Sequence, residues 1–310
     1  MASKAPSVSV VVPTYRRSAW LSETLDSVFA QTFADLEVIV VEDGSHEAAT
    51  TLAKYGDRVR YVWQPNQGVG VARNAGVRHS RGDWIAFLDD DDWWEPQKLE
   101  RQLAYAERNP QTGLVHTDHR AWVDGTIVVP ARTPPRDLVP SGWISAALFR
   151  SNFIVTSSTL VRRSEFERAG GFTANREWAE DLDLWLKLSR ICPIGYVNEP
   201  LTIYRDHARS LSSDIRWHLC RINVLEHFVE SDPAIGPEYG RLALRRRMRD
   251  VCWNGAYGHF MHGEYAIARR LFLRAWRWMP WDARALVYGT VCLAGAHGVR
   301  AARAARQVLR

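Results

Sequence analysis

"GDWIAFLDDDDWWEPQKLE", residues 82–100, decides how this chain is read. Its apolar run from Trp84 to Leu88 is too short for a helix and has no polar alternation, so it reads as a strand buried on both faces. Four aspartates follow at once, each raising the cost of ionising the next. An acidic run met alone is a solvated loop; one at the end of a buried strand expects something positive. Asp89, Asp91 and Glu100 fall at positions one, three and twelve of an EF-hand loop, but position six, which needs glycine, is Trp94. Magnesium or manganese with a diphosphate fits better, because these hard cations take one or two carboxylates and complete their shell with phosphate and water.

Upstream, "VSVVVP" (8–13), "LEVIVV" (36–41) and "VRYVW" (59–63) read as further buried strands. Helical patterns separate them, the first with Leu21, Leu25, Val28 and Phe29 on one face, and a helix after the aspartates is expected to begin at Pro96, a favoured first-turn residue. Strand and helix in alternation predict an α/β fold with a mostly parallel sheet flanked by helices. Ligands of such sheets sit beyond the carboxyl ends of the strands. "PTYRR", "EDGS" and "DDDD" each stand at such an end, so three loops are expected to converge on one edge.

The remaining composition bounds the class. With 310 residues, 46% hydrophobic and 24% charged, the chain is an ordinary globular protein and not a disordered one. Cys192, Cys220, Cys252 and Cys292 lie far apart with no C-x-x-C pair, which argues against a zinc site or a disulfide framework and for a reducing, cytoplasmic setting. "MASKAPSVSVVVP" lacks the apolar stretch of a secretory signal, and the longest membrane candidate, "ALVYGTVCLAGAHGV" (285–299), is too short and is interrupted by glycines and His297. Charge is uneven: residues 215–310 carry 16 arginines, no lysine and seven acids, whereas residues 1–214 carry 24 basic and 28 acidic residues.

Other stretches carry chemistry with bland alternatives. "GVGVARNAG" (68–76) is neither a dinucleotide fingerprint nor a P-loop; its Arg73, near a helix start, suits a phosphate or simply a solvated face. His116 and His119 in "VHTDHR" lack a third ligand and read as polar residues at a strand end. No G-x-S-x-G elbow is present, which removes serine-hydrolase chemistry. Glu180 and Asp181 in "EWAEDLDLWLKL" open a helix, where backbone amides and the dipole favour negative charge. Capping alone explains one of them; a general base that takes a proton from an attacking hydroxyl is the functional alternative.

Taken together, "VVVPTYRR", "VIVVEDGS", "NQGVGVARNAG", "GDWIAFLDDDDWWEPQKLE", "SSTLVRRSEFERAGGF", "EDLDLWLKL" and "LTIYRDHARSLS" resemble the inverting GT-A-fold glycosyltransferases of family 2, in that family's order, over about residues 7–213. The resemblance implies a Rossmann-like GT-A domain over 1–214, with a nucleotide-sugar half (about 7–115) and an acceptor half (116–214), followed by a helical extension over 215–310. It implies that Pro13, Thr14 and Tyr15 hold the nucleotide base, that Asp43 hydrogen-bonds its ring, and that Arg73 lies beside the nucleotide. Asp89 and Asp91 match the family's Asp-x-Asp, the first reaching the nucleotide and the second a Mn²⁺ or Mg²⁺ ion, with Asp90 between them. Asp181 matches the catalytic base, Glu180 and Trp185 the acceptor side, and His207 a histidine near the metal. Glu42 departs from the more usual aspartate. The implied donor is a nucleotide sugar, UDP-linked first, and the acceptor a glycan or a lipid-linked glycan in surface polysaccharide assembly. A sugar nucleotidyltransferase or a non-catalytic interaction protein on a degenerate transferase fold are the alternatives; the first is disfavoured by the missing glycine in "PTYRRSAW", the second by the presence of Asp91 and Asp181.

In the basic extension, Gly263, Tyr265, Ala268, Phe272, Ala275 and Pro280 match the second half of one tetratricopeptide repeat, which predicts a helical hairpin. Arg300, Arg303, Arg306 and Arg310 recur at helical spacing, downstream of Trp253, Trp276, Trp278 and Trp281. Arginine with tryptophan suits an anionic membrane surface, and equally a solvated face over an aromatic core. No nucleic-acid-binding module is legible.

Overall fold

A computed structural model describes residues 6–16, 18–130, 134–174, 179–207 and 215–295. The chain divides into two compact units, Met1–Ser210 and Leu211–Arg310.

The first unit opens with β1 (Val8–Thr14), α1 (Ser18–Phe29), β2 (Leu36–Asp43), α2 (Ala48–Leu52), β3 (Val59–Gln64), α3 (Val69–Arg78) and β4 (Trp84–Phe87). There follow β5 (Trp93–Trp94), α4 (Lys98–Arg108), β6 (Leu114–Val123), β7 (Thr126–Val128), α5 (Ser145–Arg150), β8 (Thr159–Arg162), α6 (Arg163–Arg168), α7 (Glu180–Ile191) and β9 (Ile194–Arg205). Among the described residues these strands form one sheet in the order β3-β2-β1-β4-β8-β6-β9-β5, with β7 against β6. The N-terminal half, β3-β2-β1-β4, is parallel throughout. Beyond it the sheet is mixed, because β8 runs antiparallel between β4 and β6 while β6 and β9 are parallel.

Alternation along β1 and β2 explains why both carry continuous apolar runs. Val10, Val12, Val38 and Val40 pack with Leu21 and Leu25 of α1 on one face, whereas Ile39 and Val41 pack with Ala72 and Ala75 of α3 on the other. Pro13 is tolerated inside β1 because pairing with β4 ends at Val11 and Phe87, so its missing N–H breaks no ladder bond there. Gly76 lets α3 touch the sheet: a Cβ at that position would lie 2.3 Å from Val11 Cγ1.

Two expectations need correcting. The helix after the aspartates begins at Lys98, not Pro96, because the chain at 95–96 is held by its neighbours: Glu95 N–H donates to Leu201 O (3.0 Å) and Thr32 N–H to Pro96 O (2.9 Å). His116 is not at a strand end. It lies in the interior of β6, 1% exposed, with its ring between Phe153 and Tyr196.

The second unit is helical: α8 (Arg216–Ser231), α9 (Ile235–Tyr239), α10 (Arg241–Met261), α11 (Tyr265–Trp278) and α12 (Ala283–Val291). The turn between α10 and α11 uses Gly263 at φ 82°, and Ala268, Phe272 and Ala275 are buried in the resulting hairpin. Trp253, Phe260, Phe272 and Tyr288 pack as one aromatic group. Arg300, Arg303, Arg306 and Arg310 lie outside the described residues.

Candidate active site

The carboxyl ends of β1, β2 and β4 and the start of α7 bring their polar residues together, and most of these are buried. Phe87 ends β4, Leu88 N–H still donates to Val11 O (3.1 Å), and the aspartates then turn sharply, with Asp92 N–H donating to Asp89 O (3.1 Å). Several neighbours hold that turn. Thr14 Oγ1 donates to Asp90 Oδ2 (2.6 Å), and the Thr24 hydroxyl lies against the carbonyls of both Asp90 (3.0 Å) and Asp92 (2.8 Å). Ser157 Oγ accepts from Asp89 N–H (3.1 Å) and donates to Asp92 Oδ2 (2.5 Å). Arg205, at the end of β9, donates its backbone N–H to Asp92 Oδ1 (2.9 Å) and its Nε–H to Asp91 O (2.8 Å), while its guanidinium packs among the rings of Trp20, Trp93 and Trp122.

The four aspartates therefore differ. Asp92 is 1% exposed, and burial, then the charges of Asp91 and Asp89, push its carboxyl well above the ordinary range. Asp90 supports the β1 loop. Asp91 Oδ2 lies 2.9 Å from His207 Nε2, and Asp89 Oδ1 is 2.6 Å from Arg73 Nη2.

Arg73 joins the two halves. Its other terminal nitrogen reaches Glu180 Oε1 at 2.7 Å, and the side chain is 3% exposed. Burial opposes its charge, but the buried carboxylate of Glu180 and the partly exposed one of Asp89 outweigh that cost and hold the guanidinium charged. Asn74, next on α3, fixes the facing loop by two bonds, donating to Phe172 O (2.8 Å) and accepting from Phe172 N–H (3.0 Å). Glu180 itself is pushed up to about 7, by burial first and by the Asp181 charge, against the lowering effect of Arg73. Asp181 is also raised, chiefly by loss of water and further by Asp89; Leu182 N–H (2.7 Å) and Asn152 Nδ2 (3.0 Å) donate to it and oppose the rise. Ala179, which caps α7, takes the left-handed φ of 61°, a strained backbone for alanine at the point where both acids are presented.

Asp43 and Glu42 are engaged differently from what their neighbouring positions suggest. Asp43 Oδ1 accepts from Gln64 Nε2 (2.7 Å) and Gln67 N–H (2.9 Å), and Oδ2 accepts from Gly68 N–H (2.8 Å), so this carboxylate organises the loop into α3 and keeps lone-pair capacity on Oδ2. Glu42 is fully buried and accepts from Ser45, Tyr61 and the amides of Glu47 and Ala48. Burial pushes its pKa up, but those donors together hold it below the usual value, and it serves the turn into α2. Tyr15 is exposed beyond the strand. Trp185 is fully buried, edge-on to Phe172, with no partner for its indole N–H among the described residues. It therefore presents no open surface to a ligand.

Reasoning from sequence missed Thr24, Asn152, Ser157 and Arg205. Ser157 and Arg205 lie inside "SSTLVRR" and "LTIYRDH", so the signal was in the quoted motifs; their roles needed the β8 and β9 pairings. Volume is no guide here: a groove of about 800 Å³, lined among others by Ser7, Trp84, Glu107 and Arg162, shares no residue with this acidic site.

Comparison with known proteins identifies the family. Residues 9–144 match the model of glycosyl transferase family 2. An uncharacterized glycosyltransferase of Haemophilus influenzae is 30% identical over 233 residues, 72% of this chain and 78% of that protein. Relatives from Rickettsia felis and Rickettsia prowazekii, also described as glycosyltransferases, are each 28% identical, and this chain spans only 37% and 65% of their lengths. The crystal structure of S. aureus TarS residues 1–349 with UDP-GlcNAc aligns with TM-score 0.63 at 14% identity, covering 92% of this chain and 90% of that one. The mannosyltransferase PcManGT from Pyrobaculum calidifontis, in complex with GDP-Man and Mn²⁺, aligns with TM-score 0.56 at 17% identity, covering 94% and 87%. Those likenesses establish the GT-A fold, and the Haemophilus relative and the family match establish the family: this chain belongs to glycosyl transferase family 2.

Proposed function

We propose that the enzyme transfers a sugar from a UDP-sugar to a hydroxyl of a glycan or lipid-linked glycan, with inversion, in surface polysaccharide assembly, and that it depends on Mn²⁺ or Mg²⁺. The observation that carries this reading is Arg73 between Asp89 and Glu180, which sets a donor-side aspartate and the two acids of α7 around one guanidinium. TarS and PcManGT, solved with UDP-GlcNAc and with GDP-Man and Mn²⁺, support the donor class and the cation.

Asp43, with free capacity on Oδ2, and the 13–15 loop would receive the base, Tyr15 offering an exposed ring. Asp89, Asp90 and Arg73 would position the sugar and diphosphate. The donor set fits a hard divalent cation. Asp91 Oδ2 and His207 Nε2 converge to 2.9 Å, close to the separation of about 3 Å expected of adjacent ligands on an octahedral ion with bonds of about 2.1 Å. Among the described residues no third His, Cys, Asp or Glu completes a metal cluster, which leaves room for diphosphate oxygens. Bound there, the ion would neutralise charge on the departing nucleoside diphosphate.

Asp181 takes the proton from the acceptor hydroxyl. The hydroxyl oxygen forms its bond to the anomeric carbon as the bond to the phosphate oxygen breaks, and that electron pair leaves on the diphosphate. One displacement inverts the centre and needs no carboxylate nucleophile. Glu180 holds Arg73 beside that base, and Trp185 shapes the acceptor wall from behind.

The test is nucleoside diphosphate release from UDP-, GDP- and dTDP-sugars, with and without Mn²⁺ or Mg²⁺, for the native enzyme and Asp181→Asn. Metal-dependent release from one donor, lost in the variant, supports the reading; equal release by both proteins, or release indifferent to metal, overturns it.

A further inference from the structure

Two donors from different parts of the chain fix the Asp181 carboxylate. Leu182 N–H reaches Oδ1 (2.7 Å) from the first turn of α7, and Asn152 Nδ2 reaches Oδ2 (3.0 Å) from the segment that follows α5. The first is a local bond of the kind aspartate commonly makes to nearby backbone. The second spans 29 positions and has no such local explanation.

Asn152 is itself held in place. Its Oδ1 accepts from Ile154 N–H (3.2 Å), which turns the NH₂ end of the amide, a pure donor, toward the carboxylate. Phe153 and Ile154, next along the chain, are buried, and the Phe153 ring lies against that of His116 in β6, so the backbone carrying Asn152 is anchored in the acceptor half. The amide does not cap α7, whose Ala179 cap makes no side-chain hydrogen bond. It serves the carboxylate.

The charged groups around that carboxylate come from three elements. Arg73 of α3 favours its ionised form, whereas Asp89 after β4 and the adjacent Glu180 of α7 disfavour it, as does the loss of water. A carboxyl group turns readily about its last side-chain bond, whose energy wells are broad. With one donor on each oxygen that rotation is stopped, and each oxygen keeps a further lone pair in a fixed direction for an incoming hydroxyl.

We propose that Asn152 is a positioning residue for the transfer reaction: its amide sets the direction of Asp181 Oδ2 and favours the ionised carboxylate that takes the acceptor proton. The proposal deepens the reading of Asp181 as the base and rests on it. Hydrogen bonds to a charged form stabilise it, so losing this donor raises the pKa of Asp181, and the base becomes active later as pH rises.

Profiles of kcat/KM for nucleoside diphosphate release across pH, on the full chain with the donor the native enzyme uses, test it. Asn152→Ala should move the rising limb up by about one pH unit, which is about a tenfold loss at any pH below it. Asn152→Asp keeps the size of the side chain and sets a second carboxylate on Asp181, so its limb should move further; this variant carries the test if the alanine variant does not fold. UDP affinity, measured by calorimetry, should stay near the native value in both. The double variant Asn152→Ala, Asp181→Asn should be no slower than Asp181→Asn alone, because the effect runs through the carboxylate. A residue that merely holds the fold would lower the melting temperature and the rate alike at every pH. An unmoved limb, or a further tenfold drop in the double variant, overturns the proposal. The two readings fail differently: native turnover in Asp181→Asn removes the base itself, whereas an inactive Asp181→Asn beside an unmoved limb in the Asn152 variants removes Asn152 alone.

Discussion

Arg73 Nη1 stands 2.7 Å from Glu180 Oε1, a contact between residues 107 positions apart in the chain. It is half of a bridge, centred on the buried guanidinium, whose other end is the partly exposed Asp89. Removing the cation leaves two carboxylates in a poorly hydrated site. Arg73→Ala is expected to lower stability by about 3–5 kcal/mol, and Arg73→Lys, which cannot reach both acids with a fork, to recover only part of that. Thermal denaturation of the three proteins at neutral pH checks the order.

Asp181→Asn should separate chemistry from binding. The amide keeps the size of the side chain but cannot take a proton, so turnover should fall by about 10²–10⁴-fold while donor affinity, measured by calorimetry, stays near the native value. An equal loss in both quantities would make Asp181 a binding residue.

The pH profile follows from the raised carboxyls. A group whose pKa is raised in the folded protein stays protonated to higher pH, so a base of this kind becomes active later as pH rises. Activity should climb with pH along a limb above the ordinary aspartate range, because burial raises the Asp181 carboxyl. Glu180→Gln removes a neighbouring negative charge and should move that limb to lower pH. Profiles of kcat/KM for the two enzymes decide it.

Arg205 is expected to control the aspartate turn without touching the donor. Arg205→Met keeps much of the contact with Trp20, Trp93 and Trp122 but loses the bond to Asp91 O, so Mn²⁺ binding should weaken more than the melting temperature falls. Isothermal titration with Mn²⁺ beside calorimetric unfolding gives the comparison.

Lys98 offers a stability test remote from catalysis. It is fully buried, with Nζ bonded to Gln102 Oε1 (2.9 Å) and lying 3.9 Å from the Trp94 ring centroid, and burial alone drives its pKa well below the usual lysine value. A depressed lysine costs stability at low pH, where the unfolded chain holds the proton, and nothing once both states are neutral. Lys98→Met should therefore range from neutral to about 2 kcal/mol more stable, with the larger gain on the acidic side. Urea titrations at two pH values read the sign directly.

The legible part of this protein was the part written in local pattern. Val8 to Pro13, Leu36 to Val41 and Trp84 to Phe87 announced their strands because burial on both faces demands unbroken apolar runs. Asp89, Asp91, Glu180 and Asp181 were legible as chemistry because carboxylates at strand and helix ends are costly without a purpose. The insertion of β8 between β4 and β6 was not, since no local period encodes a neighbour from elsewhere in the chain. With it went Ser157, whose hydroxyl touches Asp89 and Asp92 only through that pairing, and Arg205, which arrives on β9. Glu42 reads as a substitute for a donor-binding acid until its four hydrogen-bond donors are seen.

Helix α3 carries a lesson about how this enzyme can change over generations. Gly76 leaves no room above Val11, and a Cβ on Gly70 would crowd Phe172 and Glu180 at 3.3 and 3.5 Å, with Arg73 on the turn between them. A drifting sequence has little freedom to slide or enlarge that helix without dislodging the guanidinium. Adaptation to a new sugar or acceptor is thereby expected away from α3, in residues 134–156, where among the described residues no glycine is crowded by a neighbour.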